Sequence, residues 1–371
     1  MVVYMNKEVS LRQIAYMFLF LSISPILRQI PAALAKEAGR SGYLSPLWSV
    51  LAVIPLTGII LLLINAFPGL NIYEIMIQLI GNFMSKLVIL FYFIWFLLVL
   101  VSKINVYSLT LQFTLMPRTR SELLMIIMIA LVYYALLRGM KTVFRFAEFA
   151  LGPIIGFFAI LIICALTRLR TDYLLPVSTF RLPETIYASV NVISVGGYIV
   201  IALFFSDKLG ISVPKQQKRK LWYAALSFVV LAFTVTLFTF GITGAALTAY
   251  VPFPFYISVK SISFFNVFER FEVLVTLICI LSDFITICIL ATMLGRCIQW
   301  LFGLKNRGGY LFLPLAMTIY FLTYLISSTQ FEFDFLYRYI IVNLNLIFQY
   351  VIPFLLGFVC LIKRKKIKQQ Y

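Results

Sequence analysis

Apolar runs of about twenty residues recur along the whole chain, separated by short polar segments. Ten can be read off, at about 11–34, 44–66, 86–112, 121–140, 149–168, 186–206, 220–247, 269–298, 310–328 and 336–362. Each is long enough to cross roughly 30 Å of hydrocarbon as a helix, so the pattern predicts an all-α integral membrane protein with ten transmembrane helices. Composition points the same way. Of 371 residues, 63% are hydrophobic and only 12% charged, with a mean hydropathy of +1.02, whereas a soluble domain carries about 25% charged residues. The first run is too long for a signal peptide and lacks a small-residue cleavage pattern. The expectation is one transmembrane domain over 1–371, with a basic tail at 363–371.

The polar loop 168–185 divides the runs into two halves, about 11–168 and 186–362, of five spans each. In both halves the second span is followed by an amphipathic stretch too short and too polar to cross: "GLNIYEIMIQLIGNFM" (69–84) and "PFPFYISVKSISFFNVF" (252–268). An odd number of spans per half makes the halves inverted relative to each other. Such 5+5 inverted repeats are a transporter plan in which the interrupted spans hold the ligand.

Spans one and six carry interruptions. Span six contains Gly196 and Gly197 in "VNVISVGGYIVIALFF", and span one contains Pro25, with Pro31 beyond, in "LSISPILRQIP". Proline removes a backbone donor and crowds the preceding turn, and each glycine costs about 1 kcal/mol in a helix. Backbone groups freed in this way survive only inside protein or against a cavity. Discontinuous helices 1 and 6 around a central chamber are therefore expected, with Ser22, Ser24, Pro25, Ser194, Gly196, Gly197 and Tyr198 as candidate ligand-binding residues. The competing reading is that the diglycine permits close helix packing, that Pro25 is an ordinary kink, and that the serines bond their own backbone.

Charge sets the topology. Of 31 Lys and Arg residues, 19 fall on the inner side if the N-terminus is cytoplasmic, 10 fall outside, and two, Arg28 and Lys103, lie within spans. That asymmetry obeys the positive-inside rule and puts both termini in the cytoplasm. It also accounts for the formal net charge of +18 without nucleic acid; the tail is either a plain topology signal or a contact for anionic lipid. A charge within a span marks a pathway or a partner. Asp283 lies near the middle of span eight and Lys103 about 6 Å beyond the middle of span three, which suggests a pair or a shared proton. The alternative is that Lys103 snorkels outward and Asp283 caps a neighbouring backbone group. Arg28, past the span-one interruption, either attracts an anion in the outer vestibule or reaches the outer interface.

The chemistry of catalysis is poorly represented. The chain has no histidine, the commonest general base and metal ligand. Its five cysteines lie in or beside apolar spans without a CxxC and read as small hydrophobes rather than disulfides or metal ligands. There is no phosphate-cradling loop. An enzyme, a metal and a cofactor are not expected.

Two segments carry a resemblance. "RQIPAALAKEAGRSGYLSPLW" (28–48) resembles the span-one to span-two region of spore germination permeases, the B subunits of nutrient germinant receptors, with Tyr43 and Trp48 bracketing it. "PFPFYISVKSISFFNVFERFEVLV" (252–275) resembles the family's proline-aromatic stretch leading to an ERxE turn, here Glu269, Arg270, Phe271 and Glu272. Relatives carry a tryptophan soon after that turn; this chain has none and offers Asp283 instead. The family falls in the amino acid–polyamine–organocation transporter group, so the resemblance implies the fold reached above from the inverted halves. It also implies residence in the inner membrane of a spore, a complex with an A subunit and a C-subunit lipoprotein, and recognition of a small nutrient, often an amino acid, that triggers germination. The other expectation from the same fold is a proton- or sodium-coupled transporter of an amino acid or polyamine.

Overall fold

The computed structural model describes residues 9–175, 182–209, 214–262, 271–304, 308–326 and 336–367. It is all-helical among these residues. Seven helical stretches are long and apolar enough to cross a bilayer: Ile30–Ala66, Asn82–Thr114, Met140–Leu166, Leu182–Phe204, Lys215–Tyr250, Glu272–Phe302 and Tyr339–Lys363. Two shorter apolar helices, Ser121–Leu137 and Leu313–Leu325, accompany them.

At the centre runs α1 (Leu11–Arg28), started by a capping box in which the Ser10 hydroxyl accepts from the Gln13 amide while the Gln13 side chain accepts from that of Ser10. A helix buried all round belongs in a core, and α1 is buried along nearly its whole length. It lies between α11 (Lys215–Tyr250) and α13 (Glu272–Phe302), and also touches α8 (Met140–Leu166). α13 packs most extensively on α6 (Asn82–Thr114).

The expected interruption in α1 is displaced. The helix continues through Pro25 to Arg28 and turns only at Gln29 (φ −102°, ψ −41°), before α2 (Ile30–Ala38) resumes. Proline deletes one donor, to the carbonyl of Leu21, yet the helix runs on through it to Arg28. Next to that carbonyl, the Ser282 and Thr286 hydroxyls of α13 both donate to the Phe20 carbonyl, at 2.6 and 3.2 Å, and tie α1 to α13.

After α2 the chain tightens through a 3-10 segment, Gly39–Leu44, into the short α3 (Ser45–Trp48) and then α4 (Val50–Ala66). The first amphipathic stretch becomes α5 (Ile72–Ile80), capped by Asn71 and Glu74 and burying Ile72, Ile75, Met76 and Leu79. The second becomes α12 (Pro254–Lys260); the continuation to Arg270, with Glu269 and Arg270 of the ERxE turn, lies outside the described residues. α7 (Ser121–Leu137) and α14 (Gly308–Ile326) pack on each other and on α6. Their outer faces, with that of α8, expose Leu123, Ile127, Leu131, Ile155, Ile163 and Phe321, an apolar surface suited to lipid.

Candidate functional site

Two polar regions sit inside the bundle. The first joins α1, α6 and α13. Arg28 ends α1 and is 3% exposed; its Nη2 donates to both carboxylate oxygens of Asp283, at 2.6 and 2.5 Å, and to the Ser24 hydroxyl one turn back. Its Nη1 donates to the Thr110 hydroxyl at 2.5 Å and to the Val106 carbonyl at 3.3 Å on α6. The Thr110 hydroxyl in turn donates to that same carbonyl at 2.6 Å. A buried charge persists only if paired and hydrogen-bonded, and this guanidinium is both, save for its buried Nε.

Asp283 thus takes Arg28, not Lys103, as its partner. The reason is reach: α1 runs on past Pro25 to Arg28, which places the guanidinium Nη2 against both carboxylate oxygens while Nη1 turns to α6. Lys103 is 6% exposed and does not snorkel to the surface; among the described residues it makes no hydrogen bond or ion pair. It stands one turn before Val106 and Tyr107 on α6, and its electrostatic neighbours are Asp283, Arg28 and Cys279.

The second region surrounds the diglycine. α9 (Leu182–Gly196) gives way to a 3-10 turn, Gly197–Val200, and then to α10 (Ile201–Phe204). The backbone tightens without unravelling: Gly196 (φ −62°, ψ −25°) and Val200 (φ −56°, ψ −21°) stay right-handed. The glycines are contact points. A Cβ on Gly196 would come within 2.5 Å of Val53 and 2.8 Å of Phe228. One on Gly197 would meet the Gln349 amide oxygen and come within 2.6 Å of Tyr350. α1 lies against α9, this turn and α10.

Opposite the turn, the last helical stretch loosens where α9 tightens. Short π-helical segments, Leu336–Ile341 and Ile347–Val351, flank α15 (Val342–Leu346), and α16 (Ile352–Ile367) follows. A π turn displaces the carbonyl ladder and is frequent at functional sites; here the Tyr92 hydroxyl donates to the Phe348 carbonyl at 2.7 Å. Trp95 Nε1 donates to Asn345 Oδ1 at 2.9 Å, and Asn345 Nδ2 donates to the Ser194 carbonyl at 3.2 Å and the Tyr198 hydroxyl at 3.4 Å. The Tyr350 hydroxyl donates to the Ile193 carbonyl at 2.9 Å. Gln349 is fully buried, and neither amide atom has a partner among the described residues.

The sequence-derived candidates divide between these regions. Ser24, Pro25, Arg28, Lys103 and Asp283 belong to the first; Ser194, Gly196, Gly197 and Tyr198 belong to the second. The Ser22 and Ser194 hydroxyls donate to their own helices, at the Phe18 and Asn191 carbonyls, 2.8 Å each. Thr110, Trp95, Asn345 and Gln349 were not foreseen. Asn345 and Gln349 carried a signal, since both are amides within the apolar run "VNLNLIFQYV". At the C-terminal end of α10, Arg296 of α13 donates to the Phe204 carbonyl and pairs with Asp207, its guanidinium over the Phe205 and Trp300 rings.

Among curated proteins, none matches the chain. A family model described as spore germination protein matches residues 8–335. That match takes in α1, α6, α9, α10 and α13, and with them the ionic cluster and the diglycine turn, so the chain belongs to the spore germination protein family and is a multi-pass membrane protein.

Proposed function

We propose that this protein is the membrane subunit of a nutrient germinant receptor: it binds a small nutrient, an amino acid by class, and the bound state triggers germination. Its place in this reading is the spore inner membrane, with both termini cytoplasmic and with the receptor's A and C subunits as partners. Ten spans follow if α1 and the two shorter apolar helices cross alongside the seven long ones, arranged as inverted halves of five. The protein is a receptor and not an enzyme.

One observation carries the reading. The two helices that change their winding in mid-course, α1–α2 at Gln29 and α9–α10 at Gly197–Val200, lie together in the core, beside a buried cluster of charges. Interrupted helices flanked by unsatisfied polar groups are where a membrane bundle holds a polar ligand. A nutrient that binds one arrangement of these turns better than another shifts their populations by that difference in affinity. A coupled amino-acid or polyamine transporter is the second reading, favoured by the buried amine of Lys103, which could carry a coupling proton.

Deleting the gene in the spore former, and testing germination against amino acids, sugars and nucleosides, separates the two. Loss of response to one nutrient, with growth uptake unchanged, is the expected result. Unchanged responses to every nutrient, with vigorous coupled uptake by proteoliposomes of this chain, would establish the transporter instead.

A further inference from the structure

The ionic cluster does not balance. Arg28 and Lys103 contribute two positive charges, and Asp283 one negative charge, which Arg28 already engages through both oxygens. Arg28 is anchored on its other side by Thr110 and Val106. On α6, Lys103, Tyr107 and Thr110 follow one another at helical spacing along one face, so the amine lies one to two turns below the groups that hold Arg28. Lys103 is 94% buried, since only 6% is exposed, and it stands about 16 Å along the axis from the helix end at Thr114. Its side chain is enclosed by the bundle. A buried cation with no hydrogen-bonded partner among the described residues is costly, and such a group is retained in a membrane core where it serves a function.

We propose that Lys103 is the anion-recognising residue of the nutrient site, and that the group it takes is a carboxylate carried by the nutrient. This rests on the nutrient-binding reading and names the residue that takes the nutrient's carboxylate. The carboxylate supplies the missing negative charge. Asp283 is held by Arg28 and makes no hydrogen bond to Lys103, which leaves the amine for a ligand.

The test uses the full-length chain in phosphatidylcholine nanodiscs, with thermal unfolding followed against each of the twenty amino acids, their amides, and chloride. Lys103→Met keeps the stem and removes the charge; Lys103→Arg keeps the charge. At least one amino acid should raise the unfolding midpoint of the parent and of Lys103→Arg, while its amide and chloride do not. Lys103→Met should bind it about tenfold to a hundredfold more weakly. With no ligand present, Lys103→Met should melt at or above the parent's temperature, because it loses an unpaired buried charge. A lower ligand-free midpoint would make Lys103 a structural partner and overturn the assignment. Equal shifts from acid and amide, an equal shift from chloride, undiminished binding by Lys103→Met, or no shift with any of the twenty would overturn it as well. The gene deletion separates the two claims. If its spores lose response to a sugar or another nutrient without a carboxylate, the receptor reading stands and the Lys103 assignment falls. If they lose no response while the amino-acid shift holds, the assignment stands and the receptor reading falls.

Discussion

The two polar regions of the core solve the same problem in opposite ways. Where α1 meets α6 and α13, full charges are buried, and nearly every donor of Arg28 has an acceptor, drawn from three helices. Where the diglycine turn meets the last helix, no full charge takes part among the described residues, and among them the wholly buried Gln349 amide has no partner, while the helices on both sides have left α geometry. Charges in a low-dielectric core must be tied down, whereas a neutral amide costs a few kcal/mol at most and can be left waiting. The first region reads as a lock holding three helices in register, with Lys103 beside it as the uncommitted charge. The second reads as a joint, where the backbone changes its winding beside an unpaired amide.

That contrast can be broken most forcefully at the lock. Asp283→Asn leaves Arg28 as an uncompensated buried cation and should cost about 3–5 kcal/mol, measured as a fall in the thermal midpoint of the purified protein. Replacing both partners, Arg28→Met with Asp283→Leu, should recover most of that loss, because the desolvation of both charges disappears together. If the double variant is as unstable as the sum of the two single ones, the pair is not a coupled unit.

The joint should respond to shape rather than charge. Gly197→Ala drives a methyl group into Gln349 and Tyr350 and should destabilise the resting state by about 1–3 kcal/mol, read from the same midpoint. Trp95→Phe removes the donor to Asn345 and leaves a buried carbonyl unpaired, for about 1–3 kcal/mol. The smallest effect is the sharpest comparison: Gln349→Met, similar in volume, should leave stability unchanged or slightly raised, since no hydrogen bond is lost. A fall of more than about 1 kcal/mol in that variant would show that the amide is bonded after all, and the distinction between lock and joint would collapse.

The apolar periodicity determined the class of protein. Runs of this length and hydropathy have no stable home but a bilayer, and the amphipathic stretch at 69–84 stood out as too short and too polar to cross; its short helix is α5. The ionisable residues Arg28, Lys103 and Asp283 stood out for the same reason, being charges in an oily context. What the order of residues left open was pairing. Arg28 and Asp283 are separated by 255 positions, and whether arginine or lysine reaches the carboxylate depends on the axial offset and rotation of α1 against α6 and α13, which no local pattern encodes. The same holds for the two interruptions. Pro25 and Gly197 mark where a helix is weak, but whether it bends, tightens or opens is decided by its neighbours: hydroxyls of α13 at the Phe20 carbonyl, and the side chains of Gln349 and Tyr350 against Gly197. Local chemistry sets the places where the backbone can yield; only packing between distant segments, summed over many weak contacts in a medium without water, decides how it does.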